Sequence, residues 1–325
     1  MSTKLRNIKI LQPLFRLRDS FMEKTGLFHL KAKCKYTLFL RYLVISDYLK
    51  KKRIGEAIKK LPDGLLSHNF SNNDIVCSVT SYGKRVSDAL PYMLYSLFIQ
   101  TQLPKKVVVY LDNEHWNDKQ LPTLLKKLQQ VGVEFHYCED LRSYKKLIPA
   151  LRMFPDNPII TLDDDFYYYP QYIEHMTAAY EHSDKRTVLG QWGCIPEKRN
   201  GKYIPYNEWK DCKYGNEHSP ISFFGCCCCY PPHIFDGEIL KSDIFMKLCP
   251  TADDIWFWAM EERQHIKRAY IEPHGFGLNI YVNRIEEYDL SLQSTLMYIN
   301  GALGKNNQQL QNVLQYYHLE DENND

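Results

Sequence analysis

Ile159–Ile160–Thr161–Leu162–Asp163–Asp164–Asp165 is the stretch on which the fold turns. A short apolar run rich in β-branched residues reads as a buried strand. It ends abruptly in three adjacent carboxylates. Like charges so close repel one another, and carboxylate oxygens are the ligands that a hard divalent cation such as Mg²⁺ or Mn²⁺ prefers. The alternative is a solvated acidic loop, but the preceding strand places the triplet at a sheet end rather than on an arbitrary surface.

Working outward, the same pattern repeats. Ile75 to Thr80 is a β-branched run, Lys106 to Leu111 is a second that ends at Asp112, and Val133 to Tyr137 is a third. Helices are expected between them: Ser87 to Gln100 with Ser87 as N-cap, Pro122 to Val131, and Leu141 to Met153. Close alternation of strand and helix predicts an α/β fold, with a mostly parallel central sheet and helices on both faces. Ligands of such sheets bind beyond the carboxyl ends of the strands. Thr80, Asp112 and Asp163 all fall there. Beyond Tyr169 the regularity weakens. Residues 193–222 read as a long loop region, Phe223 to Tyr230 as a strand, and Asp253 to Gln264 as a helix.

Three further clusters could carry chemistry. Asp253 and Asp254 are followed by Ile255, Trp256 and Phe257. A carboxylate partly desolvated by such neighbours acquires a raised pKa and suits general-base work, whereas the alternative is helix capping by Asp253 with Asp254 in an exposed first turn. Lys145 and Lys146, in Ser143–Tyr144–Lys145–Lys146, could neutralise a diphosphate or simply line a solvated helix face. Thr80, Ser81, Tyr82 and Gly83 would let a nucleotide approach the backbone, with Arg85 in reach of phosphate. That segment matches neither a P-loop nor a dinucleotide fingerprint.

The 325 residues are 44% hydrophobic and 25% charged, which excludes a disordered chain and a polytopic membrane protein. The net charge of +2 conceals an asymmetry: residues 1–72 hold 16 Lys+Arg against 5 Asp+Glu, and the remainder 25 against 34. The expected organisation is therefore a basic helical extension over 1–72, a body over 73–318 divided near 169, and an acidic tail over 319–325. Within the extension, Tyr36 to Leu49 is apolar but interrupted by Arg41 and Asp47, and crossing a bilayer takes about 20 apolar residues. Apolar residues beside Lys50–Lys51–Lys52–Arg53 suit an interfacial anchor on an anionic membrane through residues 1–60; a helical hairpin with solvated charges is the alternative. Of ten cysteines, four are consecutive, Cys226 to Cys229, and the others show no paired spacing. They read as small apolar residues on a buried strand in a reducing cytoplasm, not as a disulfide framework or a zinc site. No nucleic-acid-binding motif occurs, and the body is acidic.

Taken in order, Ser78–Arg85 (SVTSYGKR), Gln100–Asp112, Ser143–Leu151, Ile159–Pro170, Tyr206–Trp209, Cys229–Pro232 and Cys249–Met260 resemble bacterial family 2-like glycosyltransferases of the GT-A fold, over about residues 74–317. Such enzymes are common in surface polysaccharide biosynthesis, of lipopolysaccharide or capsule. The resemblance implies a nucleotide-binding half over 73–169 and an acceptor-binding half over 170–318. It implies an inverting, metal-dependent transfer from a nucleotide-diphosphate sugar such as a UDP-sugar to a saccharide or lipid-linked saccharide, at the inner face of the cytoplasmic membrane. Asp163 and Asp165 match the D-x-D motif that holds Mn²⁺ or Mg²⁺ on the donor diphosphate and touches the ribose, and Asp163 and Asp164 count among the nucleotide-sugar-binding positions. Thr80, Ser81, Tyr82 and Asp112 match nucleoside-holding positions, Arg85, Lys145 and Lys146 donor-contacting ones. Asp254 matches the catalytic base, with Asp253 before it, and His274 is a candidate third metal ligand. Trp209 and Trp256 are candidate acceptor platforms, because sugar C–H faces stack on aromatic rings. The chain departs from its relatives in one place: Gly225 is all that remains of a Gly-rich stretch, and four cysteines follow it. Two other functions fit the fold, a sugar nucleotidyltransferase and a non-catalytic carbohydrate-binding protein.

Overall fold

Residues 27–66, 73–214, 220–273, 280–284, 300 and 304–320 are described by the computed structural model, with side chains from residue 34 onward. Contacts divide the chain into two compact units, Met1–Lys50 with Asn283–Leu290, and Lys51–Val282 with Ser291–Asp325. Helix α1, Leu27–Lys59, contributes to both.

In the first unit, α1 buries Leu43 and Asp47, one helical turn apart. The Asp47 carboxylate accepts from the Arg284 side-chain Nε at 2.7 Å and from its backbone amide at 2.8 Å. Leu38, Tyr42, Ile45 and Leu49 recur at helical spacing as an exposed stripe. Among the described residues no helix is long and apolar enough to cross a membrane.

The second unit is built on seven strands: β1 Val76–Thr80, β2 Lys106–Asp112, β3 Glu134–Cys138, β4 Ile159–Leu162, β5 Val188–Gly190, β6 Cys228–Tyr230 and β7 Arg268–Tyr270. Their order in the sheet is β7-β5-β6-β4-β1-β2-β3. Pairings from β3 through β2 and β1 to β4 are parallel, β6 is antiparallel to both neighbours, and β7 is parallel to β5. The architecture is therefore α/β with a mostly parallel sheet.

Strand side chains alternate between two cores, as the two-residue period requires. Val107, Val109 and Leu111 face one, with Cys77, Val79, Ile160 and Leu162. That face is covered by α3 Leu90–Phe98, α4 Thr123–Val131 and α6 Tyr172–His182, after the single turn α2 Arg85–Asp88. Val76, Val108, Tyr110 and Ile159 face the other, under α5 Ile148–Met153, α7 Ser242–Leu248, α8 Asp253–Arg263 and α9 Lys305–Tyr317. With both faces covered, the strands read as continuous apolar runs rather than as alternating ones.

Four local expectations are corrected. The helix expected over Ser87–Gln100 is two helices that break at Ala89, and Ser87 lies inside the first rather than capping it. Leu141–Met153 is a 3-10 turn, Arg142–Lys146, followed by α5, with Pro149 in its first turn, where a missing N–H is tolerated. Phe223–Tyr230 is not one strand: Ser222–Phe223 pairs with Gly193–Ile195 in a small separate sheet, and Cys228–Tyr230 joins the main sheet. Positive φ at Gly225 and Cys227, 69° and 56°, breaks the run between them. The loop region 193–222 contains further short strands among its described residues.

Candidate active site

The strand register aligns the acidic positions at one edge. Thr80 pairs with Tyr110, two residues before Asp112, and Val79 pairs with Leu162, which immediately precedes Asp163. All lie at carboxyl ends of parallel strands, where backbone direction leaves side chains to be placed by the following loops. The loop after β4 is itself fixed. The Asp163 amide donates to Tyr168 Oη at 2.8 Å, and the Val282 amide donates to the Asp165 carbonyl at 2.7 Å.

The carboxylates of the triplet meet cations of the chain itself. Arg85 Nη1 lies 3.0 Å from Asp164 Oδ1 and its Nη2 2.9 Å from Asp165 Oδ2. Ser81 Oγ donates to Asp164 Oδ2. Burial raises the Asp164 pKa, against the opposing pull of Arg85 and the Ser81 hydrogen bond. Asp163 Oδ1 lies 2.9 Å from Lys146 Nζ. The repulsion within the triplet is thus relieved by Arg85 and Lys146.

Lys146 also joins the second acidic cluster, with its Nζ 3.2 Å from Asp253 Oδ2. Its turn is held from two sides: Ser78 Oγ donates to the Lys146 carbonyl at 2.5 Å, and Tyr144 Oη donates to the Cys249 carbonyl at 2.6 Å. Burial opposes the charge on Lys146, but Asp163 and Asp253 outweigh it and hold the pKa well above the usual lysine value. Gly225 is required beside this bridge: a Cβ there would sit 3.2 Å from Asp253 Oδ2 and 3.6 Å from Lys146 Cε.

Helix α8 does not begin with a side-chain cap. Its N-cap is Ala252, with no side-chain hydrogen bond, so Asp253 is not a capping residue. Both carboxylates stand in the first turn, where the helix dipole favours negative charge. Asp254 is half-buried. Burial and the neighbouring Asp253 push its pKa up to about 6, moderated by Tyr206, the Ile255 amide and Lys146. A carboxylate tuned to that range is ionised near neutral pH yet basic enough to take a proton. Tyr206 Oη donates to Asp254 Oδ2. Ser78, Tyr144 and Tyr206 lie within the motifs quoted from the sequence but carried no role there, because each acts through a partner distant in the chain.

The remaining candidates are placed as follows. Thr80 Oγ1 donates to the Tyr110 carbonyl at 2.8 Å, and Tyr82 is exposed, with the Arg85 guanidinium 5.8 Å from its ring centroid. Asp112 is buried and already engaged by its own turn, its Oδ1 2.9 Å from the His115 amide and 2.6 Å from His115 Nδ1. Lys145 is buried and paired with Asp140. Trp256 is corrected outright: it is 0% exposed, and its Nε1 donates to the Ile239 carbonyl at 3.1 Å, so it is core and presents no ring face to a sugar. Trp209 is 8% exposed and packs among Tyr203, Tyr206 and Trp258, so it too supports the site from behind. His274 lies outside the described residues. Cys226 to Cys229 are all buried and none forms a disulfide, and burial pushes the Cys229 thiol up to about 12.

Asp163 and Asp165 supply the oxygen donors that Mg²⁺ and Mn²⁺ prefer, and Asp163 is a third exposed. Among the described residues no group of three or more His, Cys, Asp or Glu is arranged to hold an ion. Mg²⁺ is commonly held by one or two carboxylates with its remaining positions left to substrate phosphates; in this structure Asp163 and Asp165 meet Lys146 and Arg85 instead.

No family model matches the chain, and no curated protein matches it. Among solved structures it is similar to S. aureus TarS 1–349 in complex with UDP, with a TM-score of 0.41, 16% identity, and 62% of this chain and 59% of that chain covered. The same TarS fragment with UDP-GlcNAc gives a TM-score of 0.39 at 16% identity, covering 62% and 60%. A 4-diphosphocytidyl-2C-methyl-D-erythritol synthase gives 0.35 at 7% identity, covering 64% and 92%. The chain thus spans less than two thirds of the TarS fragment.

Proposed function

We propose that this protein is a glycosyltransferase of the GT-A fold that moves a sugar from a nucleotide-diphosphate donor, a UDP-sugar, to a saccharide or lipid-linked saccharide acceptor in surface polysaccharide biosynthesis. The observation that carries the proposal is the meeting of two acidic clusters, one at the end of β4 and one at the start of α8, across the buried Lys146. The ordered resemblance of the sequence motifs supports the same activity.

Asp163 and Asp165 would hold Mg²⁺ or Mn²⁺, which when bound neutralises charge developing on the departing diphosphate. Asp254 accepts the proton of the acceptor hydroxyl. The acceptor oxygen then forms its bond to the anomeric carbon from the face opposite the departing phosphate oxygen, whose bond electrons leave with the nucleoside diphosphate, and the configuration inverts. Lys146 keeps the two acidic clusters together as charge shifts between them. Ser81 and Arg85 hold Asp164 and so orient the triplet.

The test is a thermal-shift screen of nucleotide sugars with Mn²⁺, because a ligand that binds only the folded chain raises its melting temperature, followed by turnover of the stabilising donor. Asp254→Asn is expected to keep donor affinity and lose turnover by about 100-fold or more. Full activity of that variant removes Asp254 from the mechanism, and no stabilisation by any nucleotide sugar refutes the proposal as a whole.

We place the enzyme at the inner face of an anionic membrane through α1. Its exposed Leu38, Tyr42, Ile45 and Leu49 precede the exposed Lys50, Lys52 and Arg53, and an apolar stripe beside cations is the pattern of an interfacial helix.

A further inference from the structure

Tyr206 stands at the start of a short 3-10 turn, Tyr206–Glu208, far in sequence from α8. We propose that Tyr206 is a positioning residue for the base: its hydroxyl, donated to Asp254 Oδ2, orients the carboxylate and sets the pH at which it ionises. This inference rests on the assignment of Asp254 as the base.

The hydroxyl is held there by construction. The Tyr206 ring packs on Trp209 at 4.9 Å between centroids, and Trp209 meets Trp258 of α8 at 5.5 Å. Trp209 Nε1 donates to the Ile204 carbonyl at 3.0 Å, which closes the loop on itself. Asn307 of α9 donates from Nδ2 to Asn207 Oδ1 at 2.9 Å. Trp209, which the sequence offers as an acceptor platform, is therefore part of the scaffold that presents the Tyr206 hydroxyl to Asp254, with the Cys194 thiol also in hydrogen-bond contact with that hydroxyl.

A hydrogen bond donated to a carboxylate favours its charged form. The other groups around Asp254 are known. Asp253, on the same helix, disfavours its ionisation, and Lys146 favours it. Tyr144 from the 3-10 turn, Cys194 from the small sheet and Cys249 after α7 also lie within electrostatic reach, but burial keeps their protons on. Tyr206 is thus the neutral partner whose removal changes Asp254 without moving a charge.

Tyr206→Phe keeps the ring and its packing and deletes the donor. In ¹³C NMR of aspartate-labelled protein, the Asp254 carboxyl, assigned by its loss in Asp254→Asn, is expected to titrate about one unit or more higher in Tyr206→Phe. The acidic limb of turnover should move up by the same amount, with kcat falling at neutral pH and donor KM unchanged. An unchanged Asp254 titration overturns the proposal. Should Tyr206→Phe fail to fold, Asn207→Ala removes the bond from Asn307 that anchors the turn and so weakens the hold of the hydroxyl on Asp254, and a smaller shift of the same sign is then required. If Asp254→Asn proves fully active, the base assignment fails whatever the NMR shows. If that variant is inactive but Tyr206→Phe shifts nothing, only the role of Tyr206 fails.

Discussion

Replacing Lys146 by Met removes a buried cation while keeping most of the side-chain volume. In the wild type the ammonium is 5% exposed and lies 2.9 Å from Asp163 and 3.2 Å from Asp253. Removing one partner of a buried ion pair costs about 3–5 kcal/mol, because it leaves charge uncompensated away from water. Water can relieve part of this at Asp163, which is a third exposed, but little at Asp253, which is 10% exposed. The lower end, about 3 kcal/mol, is therefore expected. For a domain of this size that corresponds to a fall in Tm of roughly 6–12 °C. The lysine pKa is raised in the folded chain, so its contribution is fully present at neutral pH and is lost only as pH climbs beyond the ordinary lysine range. The deficit should accordingly persist from pH 6 to 9. Differential scanning calorimetry of the two proteins measures it. Titration with MgCl₂ at constant ionic strength should raise the Tm of Lys146→Met more than that of the wild type, because a bound cation replaces the missing charge. A variant that melts within about a degree of the wild type would refute the claim that Lys146 neutralises both clusters.

Two other outcomes follow from the same structure. Glu261 is 2% exposed, and Arg268, 3.7 Å away through Nη1, turns its Nη2 to Glu262 at 2.5 Å; burial pushes the Glu261 pKa up to about 8. A raised carboxyl pKa means that folding takes up a proton, so stability present at low pH is lost as pH rises through 8. In urea denaturation, Glu261→Gln should gain roughly 3 kcal/mol relative to the wild type between pH 5 and 8, and equal pH dependence of the two would exclude this origin. Tyr42→Glu with Ile45→Glu on α1 should reduce co-sedimentation with anionic vesicles about tenfold or more, since two apolar anchors become like-charged with the lipid. Undiminished binding would exclude the stripe as the contact.

How far the sequence could be read depended on the range of each interaction. Strands β1 to β4 and helix α8 were legible because burial on both sheet faces writes continuous apolar runs into neighbouring residues. The break within Phe223–Tyr230 was not, because Gly225 and Cys227 take left-handed backbone conformations that Cys–Cys–Cys–Cys does not announce. Trp256 misled for a related reason: an aromatic beside an acidic pair looks the same whether it faces a ligand or the core, and its 0% exposure is set by packing within α8's core.

The sequence by itself determined the α/β alternation, the carboxylate triplet at a strand end and the acidic start of α8. Each rests on a local period or on adjacency along the chain. Only the tertiary structure decided what those carboxylates meet. Arg85 reaches Asp164 across 79 positions, and Tyr206 reaches Asp254 across 48. Such partners are chosen by how the loops at the carboxyl ends of the strands converge, and the charge that one residue presents does not specify which distant residue will answer it. The buried Lys146 is the clearest instance. In sequence it is one of two adjacent lysines, and in the fold its neighbour turns to Asp140 while Lys146 bridges Asp163 and Asp253.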